Sequence, residues 1–293
     1  MNNGITLFIM GQQGLAVLKA LLDKIQNSVQ LVVSAHNAAV LNDYYEEIKL
    51  LCDNYNIEFV DRKDFTGTDS SYAVAVSWRW ILDLNSTKLI VMHDSLLPRL
   101  RGFNPLVTAL INGDKEIGVT ALFADNEYDK GNIIYQKKIE ITYPIFIKDA
   151  IDKLSALYQK IIVKIVRSLL DGDSITGIIQ NEALATYSLW RNENDYHIDW
   201  SFSSSRLQRF IYAVGDPYKG AYTIANGTRY RILDALPIED KIIENRVTGK
   251  VISINNGCPV VVCGQGLLKI IKMIDDFTGV SVMPWIKMRT KFS

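Results

Sequence analysis

The sequence predicts an α/β protein, a doubly wound parallel sheet followed by a small antiparallel β-barrel. Up to about residue 140, short apolar runs alternate with stretches of helical periodicity, the signature of successive βαβ units. From about residue 220, strand-like runs follow one another closely between Asn/Gly turns, as in small all-β domains. A length of 293 residues suits two domains or one large α/β domain.

Ile5 to Met10 reads as a buried strand closed by Gly11-Gln12-Gln13-Gly14, after which Leu15, Leu18, Leu21 and Leu22 recur at helical spacing. The glycine spacing is GxxG, not the GxGxxG of dinucleotide binders, so a tight βα turn is expected and an NAD enzyme is not supported. Strands are predicted at Gln30 to Ser34, Phe59-Val60, Ala73 to Ser77 and Lys88 to Met92, with a helix over Leu41 to Asn54. Asn104 to Asn112 follows as a short helix, then strands at Val119 to Phe123 and Ile133 to Ile141. Ile151, Leu154, Tyr158, Ile161, Ile165 and Leu169 mark one face of a long amphipathic helix ending at Asp171-Gly172.

Residues 1–180 are therefore expected to form the first domain. A polar, irregular stretch with Tyr187, Trp190, Tyr196 and Trp200 makes 181–205 a linker candidate, and 206–293 the barrel domain. The latter should hold a helix from about Ser205 to Val214. Strands are expected at Tyr222 to Ile224, Tyr230 to Leu233, Gly249 to Ile254, Val260 to Cys263 and Leu267 to Met273.

Lys plus Arg and Asp plus Glu both number 32, so total charge gives no attraction to nucleic acid or anionic membrane. From Arg206 onward there are 13 basic and 7 acidic residues, which leaves that part about +6 and the preceding part about −6. The three cysteines, Cys52, Cys258 and Cys263, have no CxxC spacing, so no metal site is expected and buried free thiols in a reducing compartment fit best. The N-terminal run lacks the basic flank and length of a leader, and no apolar stretch reaches about 18 residues, so a cytoplasmic protein is expected.

His93 directly follows a predicted strand end, where ligands bind in open α/β sheets. Asp129 follows 36 residues later in a second loop. An imidazole able to exchange a proton near neutrality, with a carboxylate available to orient it, is a proton-transfer constellation.

The order His93-x-Ser95-Leu96-Leu97-Pro98, Arg101-Gly102, Pro105, Asn112-Gly113, Gly118-Val119-Thr120 and Asp129-x-Gly131-x-Ile133 resembles the signature of the folate-dependent formyltransferases. Further on, Trp190-Arg191, Asp195, Ile198-Asp199-Trp200 and Ala213 to Ala221 are similar to the family's joining segment. Gly249 to Ile252 and Gly264 to Leu268 are similar to strands of its C-terminal barrel. The resemblance implies a Rossmann-like domain followed by an OB-like barrel, and transfer of a formyl group from N10-formyltetrahydrofolate to a primary amine. His93 is then the proton shuttle and Asp129 the carboxylate that holds its tautomer.

By the same resemblance Ser77, Trp78, Arg79, Trp80, Ile81 and Leu82 line the folate pocket, the tryptophans as aromatic surface or as core packing. Ser95, Arg99, Arg101, Gly102, Asp216 and Tyr222 are assigned to the acceptor, with Arg99 and Arg101 serving either an acidic diphosphate or loop structure. The sequence departs from the family at Val91, where members carry an Asn whose amide binds the developing oxyanion, and at Tyr212, where they carry an arginine.

Ala35 to Leu50 contains one basic residue, Lys49, against Asp43, Glu46 and Glu47, whereas a tRNA enzyme of this family needs a basic inserted loop there. The expected acceptor is therefore a nucleotide-linked amino sugar, as in polysaccharide biosynthesis. Methionyl-tRNA is the alternative, and a non-catalytic binding protein a second one on account of Val91. Monomer and homodimer are both left open.

Overall fold

In a computed structural model the chain is described over residues 4–84 and 86–293. Met1 to Asn3, on which the reading of the N-terminus partly rests, lie outside the described residues. Two compact units emerge, one of residues 1–106, 115–141 and 149–189, the other of 107–114, 142–148 and 190–293.

The first unit is built on strands β1 (Ile5–Ile9), β2 (Val29–Ser34), β3 (Glu58–Asp61), β4 (Tyr72–Val76) and β5 (Lys88–His93). Further along come the two-residue β6 (Arg101–Gly102), β7 (Glu116–Phe123), β8 (Ile133–Glu140) and the two-residue β9 (Tyr187–Ser188). Its helices are α1 (Gly11–Lys24) and α2 (Tyr45–Tyr55); α3 (Pro105–Asn112) and α4 (Ile147–Leu170) run across the division between units. The sheet order is β3-β2-β1-β4-β5-β7-β8. β1 is buried at every residue, which explains its unbroken apolar run, since a central parallel strand is covered on both faces.

The first five strands are parallel, as the alternation predicted, but β7 runs antiparallel to both β5 and β8. The sheet is therefore mixed. Among the described residues no helix lies between β4 and β5, and β7 returns to β8 through the loop 124–132.

α1 begins directly at Gly11, and a Cβ on Gly14 would lie 2.9 Å from the Ile9 Cβ, so the GxxG spacing lets the helix start tightly against its strand. α2 starts four residues later than the periodicity suggested. Asn42 and Asp43 use their carboxamide and carboxylate oxygens to accept the Tyr44 and Tyr45 N–H groups, and Tyr44 is left-handed at φ 59°. The predicted face of α4, Ile151, Leu154, Tyr158, Ile161 and Ile165, is buried. Gly172 at φ 79° ends this helix, with the Gly172 and Asp173 N–H groups donating to the Leu169 and Ser168 carbonyls.

The second unit holds α5 (Ser204–Ala213) and an antiparallel sheet of β10 (Ala221–Ala225), β11 (Thr228–Ile238), β12 (Val251–Asn255), β13 (Cys258–Val262) and β14 (Leu267–Asp275), in the order β10-β11-β14-β13-β12. Asn226-Gly227 and Asn256-Gly257 turn two of its hairpins with positive φ at both residues. The edge strands are joined by the last residues: Thr290 and Phe292 pair with Val251 and Gly249, while Ser293 exchanges two hydrogen bonds of 2.9 Å with Ile224. Trp285, in the apolar stretch Val280 to Trp285, is buried against Tyr230 and Phe292, whereas Val280 is exposed.

All three cysteines are free; Cys52 and Cys263 are buried, which pushes each thiol up to about 12, and Cys258 is partly exposed. Among the described residues no helix is long and apolar enough to cross a membrane, and no group of three potential metal ligands occurs.

Candidate active site

His93 is the last residue of β5, opposite Thr120 of β7, and only 8% exposed. Each ring nitrogen faces an oxygen: Nε2 lies 2.8 Å from the Leu100 carbonyl, and Nδ1 lies 3.5 Å from Asp129 Oδ1. The other oxygen of Asp129 accepts the Gly102 N–H at 2.8 Å. Leu100 and Asp129 are both left-handed, at φ 60° and 58°, a conformation that non-glycine residues hold only when their surroundings fix it.

Several fixtures are visible. Thr120 Oγ1, fully buried, donates to the Ser95 carbonyl at 2.6 Å and accepts from the Leu97 N–H and from Gln136 Nε2, which also donates to the Leu97 carbonyl. Ser95 Oγ closes the turn on itself by donating to the Arg99 carbonyl at 2.8 Å. Gly131 packs so close that a Cβ there would overlap the Phe123 carbonyl, which sets the path of the chain away from Asp129.

Behind β5, Tyr158 of α4 donates to the Met92 carbonyl and to the Asp94 carboxylate. Burial pushes the Asp94 carboxyl above its usual range, against the opposing effects of Tyr158 and His93; burial also raises the Tyr158 hydroxyl well above its ordinary value.

Of the residues assigned to an acceptor, Arg101 and Tyr222 are held inside the protein. The Arg101 guanidinium is fully buried and donates to Gln180 Oε1 from Nε and Nη2 and to both Glu182 oxygens, so its charge is engaged by side chains of the protein. Ser95 and Gly102 are likewise engaged within the loop, by the Arg99 carbonyl and by Asp129, while Arg99 is exposed. Asp216 and Tyr222 belong to the second unit. Asp216 is 59% exposed and 3.7 Å from Lys148 Nζ. Tyr222 is buried, stacked on His197 with the Arg229 guanidinium 4.3 Å above its ring, beside ion pairs of Arg229 and Arg231 with Glu193 and Asp276. Tyr212 is also enclosed, stacked on Phe146 and donating to Asp234.

The run Ser77 to Leu82 divides. Ser77 is left-handed at φ 54° where β4 ends, and Trp78 and Leu82 turn inward onto Phe8, Leu31, Val33, Ala73 and Ala75. Arg79, Trp80 and Ile81 are exposed, with the Arg62 guanidinium 4.3 Å over the Trp80 ring. The Trp78 Nε1–H is buried and has no acceptor among the described residues, a donor that a polar heterocycle bound beside it would satisfy. Val91 packs onto the same apolar cluster and brings no donor.

Sequence reasoning missed the Leu100 carbonyl, the Gly102 N–H and Gln180. Backbone groups leave no mark on residue type, and Gln180 stands at the edge of a stretch without periodicity. The linker candidate 181–205 begins with a strap on this loop: β9 pairs in parallel with β6, and Thr186 accepts the Leu100 N–H on Oγ1 and the Arg101 N–H on its carbonyl.

The chain matches the family model described as Formyl transferase over residues 76–166 and that described as Formyl transferase, C-terminal domain, over 191–277. It is 32% identical over 190 residues to the methionyl-tRNA formyltransferase of Alkaliphilus oremlandii, a match covering 65% of this chain and 60% of that relative's length. Among solved structures, it aligns with an N-formyltransferase from Helicobacter canadensis, bound to folinic acid and dTDP-3-aminofucose, at a TM-score of 0.70 and 17% identity, covering 92% and 99% of the two chains. It also aligns with WlaRD, a sugar 3N-formyltransferase crystallised with dTDP and 5-N-formyl-THF, at a TM-score of 0.69 and 17% identity, covering 92% and 98%.

Proposed function

Because the chain belongs to the formyl transferase family, in both its N-terminal and C-terminal parts, we propose that it moves a formyl group from N10-formyltetrahydrofolate to the primary amine of a nucleotide-linked amino sugar. The observation that carries this reading is the buried His93 at a strand end, with Asp129 on one ring nitrogen and only a backbone carbonyl on the other.

Chemistry requires a proton path. A neutral amine attacks the formyl carbon, the new C–N bond forms, the bond to the folate nitrogen breaks, and the amine's surplus proton ends on that leaving nitrogen. His93 exchanges it at Nε2, the ring nitrogen that Asp129 does not face. Asp129 faces Nδ1 and stabilises the ring when both nitrogens are protonated. Gly102 holds the second Asp129 oxygen, so the carboxylate cannot turn away without losing that bond. Trp78, with its unpaired Nε1–H, and the exposed Trp80 would hold the pterin end of the donor.

The sugar acceptor is supported by the segment after β2. Residues 35–50 form a bend and the start of α2, where Asp43 is bonded to His36 and Lys49 is the sole lysine or arginine, an unsuitable surface for a phosphate backbone. Methionyl-tRNA is the second reading, favoured by the 32% identical relative and by the net positive part after Arg206. Formyl-transfer assays with N10-formyltetrahydrofolate against a panel of nucleotide-linked amino sugars and against methionyl-tRNA test both. Turnover with a sugar only is expected. Turnover with methionyl-tRNA only would replace the acceptor, and none with any amine, alongside measurable ligand binding, would sink the enzyme.

A further inference from the structure

We propose that Gln180 is a positioning residue for the His93–Asp129 pair, coupling the buried Arg101 guanidinium to the backbone of the Asp129 loop; this rests on the reading of that pair as the proton-transfer site. The side chain of Gln180 is 6% exposed, and its amide is fully used. Its oxygen accepts from Arg101 Nε at 3.1 Å and Nη2 at 2.8 Å, and its nitrogen donates to the Asp129 carbonyl at 2.7 Å and the Gly131 carbonyl at 2.8 Å. A primary amide has two acceptor and two donor positions, and all four are filled here, so the amide has one orientation.

Arg101 is in turn fixed by Glu182 on its guanidinium and by the Thr186 carbonyl on its N–H. Gln180 is placed by its neighbour Ile178, which exchanges two backbone hydrogen bonds of 2.8 Å with Ile133 at the start of β8. Asp129 is thus gripped twice from residues 101–102: its carboxylate by the Gly102 N–H, its carbonyl through Gln180 and Arg101. The second grip matters because Asp129 is left-handed, and a relaxed backbone would swing the carboxylate from its 3.5 Å approach to His93 Nδ1.

Gln180→Glu separates the two arms, because a carboxylate still accepts from Arg101 but cannot donate to the two carbonyls. Gln180→Leu removes both arms. In the full chain, with rates normalised to folded protein, each variant should lose about tenfold or more in kcat with KM for donor and amine little changed, since misplacement of a catalytic group acts on the chemical step. The acid limb of the kcat–pH profile should move as well, which a merely structural residue would not cause. As a readout independent of turnover, the ring-nitrogen resonances of His93, one of three histidines, should shift in both variants. Wild-type kcat, an unmoved acid limb and unmoved His93 resonances in Gln180→Glu would overturn the proposal. Absence of turnover in the wild type would instead overturn the enzymatic reading, and the resonances would still decide whether Gln180 positions the ring.

Discussion

Replacing Val91 with Asn is expected to accelerate the chemical step. Val91 lies two residues before His93 on β5, so both side chains leave the same face of the strand. Both ring nitrogens of His93 are already engaged, Nδ1 facing Asp129 and Nε2 the Leu100 carbonyl. A side-chain donor on a developing oxyanion is worth about 3 kcal/mol, or roughly two decades in rate. Against this, the Val91 side chain packs on Phe8, Leu31, Val33, Ala73 and Ala75, and placing an amide there costs about 1–3 kcal/mol of stability before substrate binds. Single-turnover formyl transfer isolates the step, and urea unfolding measures the cost. Val91→Ala controls for volume alone and should not accelerate. A folded Val91→Asn protein with an unchanged single-turnover rate would show that the oxyanion already has a donor in this chain, and would refute the reasoning.

Asp129→Asn should lower kcat by about 10²- to 10⁴-fold with KM nearly unchanged, and steady-state kinetics check this; a larger effect on KM would make Asp129 a binding group instead. Arg101→Met should destabilise the protein by about 2–4 kcal/mol in urea unfolding, mainly because the buried Gln180 oxygen loses its donors while the exposed Glu182 regains water. Burial raises the Asp94 carboxyl, so the folded state binds that proton more tightly than the unfolded chain. Its stabilisation is present below the ordinary Asp value of about 4 and is lost as pH rises through the raised folded value. Asp94→Asn, which resembles the protonated form, should therefore gain stability relative to wild type as pH rises above about 4; an offset independent of pH would refute the assignment.

The order of strands and helices was legible because burial on one or both faces writes its period into the sequence, as in β1 and α4. Strand direction was not. Nothing in the apolar run of β7 states that it runs against both β5 and β8, since either direction buries the same side chains. In the site, His93 and Asp129 stood out as titratable residue types in turn-bounded loops, and the structure brings them together. Arg101 was ambiguous for a physical reason. A guanidinium reads alike whether it meets a phosphate or a buried carboxylate and amide, and only Gln180 and Glu182, some 80 residues away, distinguish the two. Gln180 itself was invisible because two of its four bonds go to carbonyls, which carry no residue identity, and the other two come from a side chain 79 residues away.

The pairing of residues 290–293 with Gly249, Val251 and Ile224 has a consequence for the behaviour of the second unit in solution. A five-stranded sheet ordinarily ends in two rows of unpaired backbone groups, each a template on which another chain can add a strand. Here the β12 margin is occupied by Thr290 and Phe292, and the β10 margin by Ser293 and by Ile198, whose N–H donates to the Tyr222 carbonyl. The β10 margin and the start of the β12 margin are thus capped by the unit's own backbone, which blunts edge-to-edge growth there without relying on repulsion between surface charges.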